Sequence, residues 1–106
     1  MGTFKKLQQE FEEALGNLDF GHGMTWTDKG SDIDGMPYFS WHDSNSLMLT
    51  YYLVVYLQWD GSMMIKYAYP GIDDTWQDFD PGEYDKVKDF ILNYFDNTER
   101  EENNND

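Results

Sequence analysis

Two Asp-Gly dipeptides, at 34–35 and 60–61, constrain the fold of this chain more than any other feature. Asp-Gly is typical of tight hairpin turns, because glycine adopts the positive φ angles that such turns require. Each dipeptide lies between segments that are rich in residues with strand propensity. We therefore predict two antiparallel β-hairpins in the middle of the chain.

The second hairpin has the clearer pattern, because residues 47–59 and 62–69 are rich in Tyr, Val, Ile and Leu and contain neither glycine nor proline. A two-residue turn at 60–61 would set Leu57 opposite Met64 and so give the sheet one aliphatic face. The other face would carry aromatic rings with polar tips. We expect these tyrosines there: Tyr52, Tyr56, Tyr67 and Tyr69.

The first hairpin would pair residues 24–33 with residues 36–42. Gly30 and Pro37 interrupt its strands, and Pro37 is compatible only with an edge or the start of a strand. The two hairpins together predict an antiparallel meander of three to four strands.

Along the chain, one helix is predicted before the meander and one after it, and they cover either both faces of the sheet or only the aliphatic one. Apolar residues recur at spacings of three and four over residues 4–18 and again over residues 84–95, which indicates two helices with one buried stripe each. Residues 70–81 read as an acidic loop, and Asp80, Pro81 and Glu83 form a helix-start signal, with Asp80 as the cap and Pro81 as the first helical residue.

The second helix is expected to end near Asn97, because the residues that follow are polar and acidic and have no apolar period. The predicted organisation is one α+β domain over residues 1–96, followed by a disordered acidic tail over residues 97–106.

Charge limits the classes of partner. The 106 residues hold 21 Asp and Glu against 7 Lys and Arg, which gives a formal net charge of −14. An acidic surface repels nucleic acid and anionic membranes, and it attracts basic proteins. At 40% hydrophobic and 18% aromatic residues, the chain is too apolar to be a disordered acidic segment. We expect a folded protein with a basic protein partner and no direct contact with nucleic acid or membrane.

Cysteine is absent, which excludes disulfides, thiolate metal sites and a cysteine nucleophile. The N-terminal residues contain no apolar run long enough for a leader or a membrane span, so we expect a cytoplasmic location.

No motif points to catalysis or to a metal. Residues 30–35 are similar to the start of a calcium loop, but Gly30 and Trp41 occupy its first and twelfth ligand positions and supply no side-chain oxygen. Neither His22 nor His42 lies in a nucleophile motif. We therefore expect no cofactor, no metal and no catalytic residue, and we do not expect an enzyme.

The acidic residues are concentrated in one part of the chain, since residues 67–85 hold six acids and no base. On the second helix, Asp85 and Asp89 are one turn apart, although the neighbouring Lys86 and Lys88 are equally typical of an ordinary solvated face. Trp76 lies among these loop acids. Its ring either anchors an interface with a partner or folds back to cover the sheet. The predicted partner-binding residues are Asp73, Asp74, Trp76, Asp78, Asp85 and Asp89.

In composition and inferred architecture the chain resembles phage inhibitors of host nucleases, such as anti-CRISPR and anti-restriction proteins, and it resembles immunity proteins; no motif carries the resemblance. The resemblance implies a DNA-mimicking inhibitor that binds the basic surface of a DNA- or RNA-handling protein. One alternative is an immunity protein that neutralises a basic nuclease toxin. Another is a protein-interaction module or homodimer that uses the tyrosine face, with the charge serving solubility alone.

Overall fold

A computed structural model of the chain describes residues 2–20, 24–43, 51–68 and 74–103. It has an α+β fold, in which two helices flank a five-stranded sheet along the chain. The elements are α1 (Gly2–Leu15), β1 (Asp28–Ser31), β2 (Pro37–Asp43), β3 (Tyr51–Leu57), β4 (Met63–Ala68), β5 (Thr75–Phe79) and α2 (Tyr84–Asn103). The strands are antiparallel and their spatial order follows the chain. The predicted fold class is confirmed, with more strands than the three to four expected.

Both helices pack on one face of the sheet. Phe11 and Leu15 of α1 and Val87 and Ile91 of α2 are fully buried. They share one core with odd-numbered strand residues, namely Phe39, Trp41, Leu53, Val55, Leu57, Met63 and Ile65. Burying a side chain of this kind contributes about 1.5–3 kcal/mol, so this shared core holds the helices against the sheet.

The two hairpin turns have the same hydrogen-bond pattern. In the second turn, the Gln58 N–H donates to the Ser62 oxygen at 2.8 Å and the Gly61 N–H donates to the Gln58 oxygen at 2.9 Å. Gly61 has a φ of 91°. This is a three-residue loop, a type I turn followed by a glycine in the left-handed region, and not the two-residue turn expected. The loop over residues 32–36 repeats both bonds, each at 3.0 Å.

The longer turn shifts the predicted strand register by one residue. Leu57 lies opposite Met63, where Met64 was expected, and Val55 lies opposite Ile65. Because side chains alternate between the faces of a strand, a slip of one residue moves every side chain of β4 to the opposite face. The predicted pairing within the second hairpin is therefore wrong, while the two hairpins themselves are confirmed.

β5 lies within residues 70–81, where we expected an acidic loop. Phe79 and Trp76 lie on opposite faces of this strand, since Phe79 contacts the ring of Phe90 on α2 at 5.9 Å between centroids, while Trp76 is exposed. The apolar residues of the strand have no period of two, and its strand propensity rests on Thr75, Trp76 and Phe79.

The second helix begins later than expected. The Val87 N–H donates to the Glu83 oxygen at 3.1 Å, which makes Glu83 the cap in place of Asp80. Gly82 has a φ of 84°, which is incompatible with a right-handed helix. Pro81 therefore precedes the helix, and its predicted place as the first helical residue is wrong. The reciprocal bond survives, because the Asp80 N–H donates to Glu83 Oε1 at 2.9 Å.

α2 also continues beyond its expected end near Asn97 and reaches Asn103. The backbone of residues 97–103 is helical where an irregular tail was expected, since no glycine or proline interrupts this stretch. Residues 104–106 of the expected tail lie outside the described residues.

Candidate functional site

The sheet face turned away from both helices carries the even-numbered side chains of the strands. We call this surface the open face. Its apolar and aromatic side chains are Tyr38, Tyr52, Val54, Tyr56, Met64 and Trp76. Its charged side chains are Asp28, Lys66 and Asp78, together with Asp74, which precedes β5 and contacts Tyr52 and Lys66.

Aromatic rings lie across the open face, on β2, on the central strand β3 and on the edge strand β5. The rings of Tyr38 and Tyr56 lie on neighbouring strands, 6.1 Å apart at their centroids. Tyr52 is half-buried, and Trp76 is 49% exposed on the edge strand β5. Trp76 is therefore no part of the helix-side core, and its ring is available to a binding partner.

Tyrosine hydroxyls hold carboxylates at both edges of the open face. Tyr38 donates to Asp28 Oδ2 at 3.0 Å, and Tyr52 donates to the carboxylate of Asp74. The hydrogen bond to Asp28 raises the pKa of Tyr38, while burial together with the bond to Asp74 raises the pKa of Tyr52. The bond from Tyr52 and the nearby Lys66 lower the pKa of Asp74. Asp74 is thus held ionised at neutral pH in a fixed position.

Among the described side chains of the open face, Lys66 is the one Lys or Arg. Its ammonium lies 3.5 Å from Asp74 Oδ2 and 5.1 Å from the centroid of the Trp76 ring. Lys29 of β1 lies on the helix side instead, where its ammonium donates to the Gly16 oxygen at 2.9 Å. The acids of the open face therefore outnumber its cations.

The predicted partner-binding residues divide between opposite sides of the molecule. Asp74, Trp76 and Asp78 lie on the open face. Asp85 and Asp89 are exposed on α2, on the side of the helix opposite the residues buried against the sheet. The acidic residues that are concentrated in one part of the chain therefore do not form one surface. Asp73 lies outside the described residues.

The alternative tyrosine interface is divided as well. Tyr52 and Tyr56 lie on the open face. Tyr67 faces the helices, where its ring packs 5.0 Å from that of Phe90, a consequence of the corrected register. Tyr69 lies outside the described residues. Half of the predicted partner-binding residues and half of the predicted tyrosine interface therefore lie together on the open face. The sequence analysis treated these two sets as separate surfaces.

Tyr38, Met64 and Lys66 were missed as residues of this face. The signal that finds Met64 and Lys66 is the three-residue turn, because it gives the even-numbered residues of β3 and β4 the same side of the sheet. With that register, Lys66 moves from the predicted aliphatic face to the centre of the aromatic one. Tyr38 lies on this face through the pairing of β2 with β3.

The calcium-like run is a turn. Asp32 Oδ1 accepts hydrogen bonds from the backbone N–H groups of Asp34 and Met36 at 2.9 and 3.0 Å, so its carboxylate closes the first hairpin. Within residues 2–20, 24–43, 51–68 and 74–103, no three His, Asp or Glu side chains are placed to hold a metal ion. The helices described in this structure are also too short or too polar to cross a membrane.

A shallow groove of about 440 Å³ lies between the C-terminal end of α1 and the first hairpin. Gln8, Glu12, Lys29 and Ser31 contribute to its lining, and Lys29 is already bonded to the end of α1. The groove therefore has fewer features of a recognition surface than the open face.

Comparison with protein-family models, with curated proteins and with solved structures gives no match for this chain.

Proposed function

We propose that this protein is an acidic inhibitor that places the open face of its sheet on the basic nucleic-acid-binding surface of a DNA- or RNA-handling protein. The observation that carries the proposal is the combination of an aromatic centre and an acidic rim on one face. Protein interfaces concentrate binding energy in central aromatic side chains, while polar groups at the rim set specificity. Trp76, Tyr52 and Tyr56 are the anchors in this proposal, and Asp28 and Asp78 meet the partner's basic groups.

The charge of the whole chain supports a basic partner. A net charge of −14 repels nucleic acid itself, and it accelerates encounter with a positively charged cleft. Asp85 and Asp89 contribute to this long-range attraction from the far side of the molecule, without contacting the partner.

A homodimer through the open face is less well supported. A symmetric dimer places the same patch of each subunit against its copy, so the carboxylates of Asp28, Asp74 and Asp78 would be brought close to one another. Like charges that meet across an interface cost several kcal/mol in general. An immunity protein that neutralises a nuclease toxin would use the same contact surface, and the genes beside its own would distinguish it from a phage inhibitor.

The test is affinity capture from a lysate of the source organism at about 50 mM salt, followed by identification of the retained proteins. The open-face variant combines Tyr56→Ser with Trp76→Ala. Its matched control combines Asp85→Asn with Asp89→Asn, which removes two charges from α2 and leaves the open face intact.

We expect the wild type and the α2 variant to retain a nucleic-acid-binding protein that the open-face variant loses. Added DNA or about 500 mM salt should release it, because both compete with the electrostatic contacts. Retention by the open-face variant with loss by the α2 variant would contradict the proposal. So would capture that neither salt nor DNA affects, or the absence of any nucleic-acid-binding protein.

A further inference from the structure

Three side chains of the open face surround a cation. The ammonium of Lys66 lies 5.1 Å from the ring centroid of Trp76, 5.9 Å from that of Tyr52 and 3.5 Å from Asp74 Oδ2. Aromatic ring faces and a carboxylate are the groups that attract an ammonium or a guanidinium. We call Tyr52, Asp74 and Trp76 the cation cage.

The cage is held by contacts that do not involve the ammonium of Lys66. Tyr52 donates to Asp74, which fixes the carboxylate, and the backbone oxygen of Tyr52 accepts a hydrogen bond from the Tyr94 hydroxyl at 3.1 Å on the helix side. The backbone of Trp76 is held by the pairing of β5 with β4. None of these contacts depends on which cation occupies the cage.

Lys66 itself is held loosely. Its ion pair with Asp74 is partly exposed, with 29% and 52% of the two side chains accessible to solvent. Exposed ion pairs of this kind contribute little to stability, and the lysine stem has several rotatable bonds. A competing cation can thus reach Asp74 and Trp76 from solvent, and Lys66 can swing aside.

We infer that the cation cage receives an arginine side chain of the basic partner, which displaces Lys66; this inference rests on the proposed function. A planar guanidinium stacks on the exposed ring of Trp76 and donates two hydrogen bonds to one carboxylate, which an ammonium cannot do. Lys66 occupies the cage in the free protein and competes with the incoming arginine.

The test removes the ammonium of Lys66 from the cation cage. Lys66→Met keeps an unbranched stem and removes the cation, while Lys88→Met makes the same change in net charge on α2. The probe is the blocked peptide Gly-Arg-Gly-Arg-Gly, with a neutral peptide that carries citrulline in place of arginine, and affinity is measured by calorimetry. Circular dichroism checks folding, and Lys66→Gln replaces Lys66→Met if the latter is unfolded.

We expect Lys66→Met to bind the arginine peptide about five- to tenfold more tightly than the wild type, from the cation–π and carboxylate contacts that become free. Lys88→Met should stay within about twofold of the wild type, since it changes only the distant charge. The citrulline peptide should show no gain, and Trp76→Ala added to Lys66→Met should remove the gain.

Equal affinities for Lys66→Met and Lys88→Met would overturn the inference, and so would a gain that survives the loss of Trp76. The result is separable from the capture experiment. If Lys66→Met gains peptide affinity but the open-face variant still captures the partner, the cation cage is supported and the proposed function is rejected. Normal capture with no peptide gain would reject the cage alone.

Discussion

The hydroxyl of Tyr52 donates a hydrogen bond to the carboxylate of Asp74, and the bond joins β3 to the residue that precedes β5. It passes over the intervening strand β4 on the open face. Lys66 of β4 lies beneath the same carboxylate at 3.5 Å. Asp74, which the sequence analysis placed in a loop, therefore forms an ordered cluster with Tyr52 of β3 and Lys66 of β4.

Tyr52→Phe should raise the pKa of Asp74 towards its ordinary value of 3.8, because the hydrogen bond from Tyr52 is the largest cause of its lowering. Carbon-13 NMR titration of the side-chain carboxyl measures this midpoint. Tyr38→Phe is the matched control, since it removes the hydroxyl that serves Asp28 and should leave Asp74 unchanged.

The same bond has a defined effect on stability. The folded-state pKa of Asp74 is lowered, so the contribution of the bond is present above the unfolded pKa of about 3.8 and is lost as pH falls through the folded value. Urea unfolding should show a difference between Tyr52→Phe and the wild type at neutral pH that shrinks as the pH falls below the unfolded pKa of about 3.8. A difference that is constant over this range would contradict the ionic character of the contact.

Tyr67→Ser should destabilise the protein much more than Tyr56→Ser. The ring of Tyr67 packs against Phe90 and Tyr94 on the helix side, whereas Tyr56 lies on the open face. Truncation of a packed ring costs about 3–5 kcal/mol when it is fully buried, and we expect about 2–3 kcal/mol for the partly exposed Tyr67. Tyr56→Ser should cost about 1 kcal/mol or less. Urea unfolding measures both losses of stability. A larger loss for Tyr56→Ser than for Tyr67→Ser would contradict the observed register and favour the two-residue turn.

Gly61→Ala should cost about 1–2 kcal/mol, because its φ of 91° places an added Cβ in a strained conformation. The new Cβ would also lie 3.2 Å from a Leu7 methyl of α1. Gly30→Ala is the control, since its Cβ would meet nothing closer than the Tyr38 hydroxyl at 3.4 Å. Thermal unfolding should separate the two variants, and equal melting temperatures would argue against the observed turn.

Much of the fold follows from local patterns. The apolar period of three to four residues predicted both helices, and the Asp-Gly dipeptides predicted both hairpins. The number of residues in a turn is not fixed by its dipeptide, because Asp-Gly fits two- and three-residue loops alike. That single ambiguity moved Tyr67 and Lys66 to the wrong faces of the predicted sheet.

The candidate surface was less predictable than the fold. Asp78 and Asp85 are close in sequence, but the turn at Gly82 separates a strand from a helix, and their side chains leave on opposite sides of the sheet. Proximity along the chain therefore suggested one acidic edge where the fold has two surfaces. The signal for β5 in the sequence is the strand propensity of Thr75, Trp76 and Phe79, because the apolar residues of this segment do not alternate.

Binding kinetics should separate the roles of the two acidic surfaces. Asp85→Asn combined with Asp89→Asn should slow association with the captured partner and leave dissociation unchanged, because those carboxylates act only at long range. Trp76→Ala should accelerate dissociation by about 30-fold, equivalent to a loss of about 2 kcal/mol at an aromatic anchor. Surface plasmon resonance at two salt concentrations measures both rates. Faster dissociation of the α2 variant would indicate that the partner contacts α2, which contradicts binding through the open face.

The most direct measurement is NMR chemical-shift mapping of the isotope-labelled protein with its captured partner. We expect the side-chain and backbone signals of Tyr52, Tyr56 and Trp76 to shift or broaden on binding, while those of Asp85 and Asp89 stay unchanged. Signals that shift on the outer side of α2 while the open face is unaffected would contradict recognition through the open face.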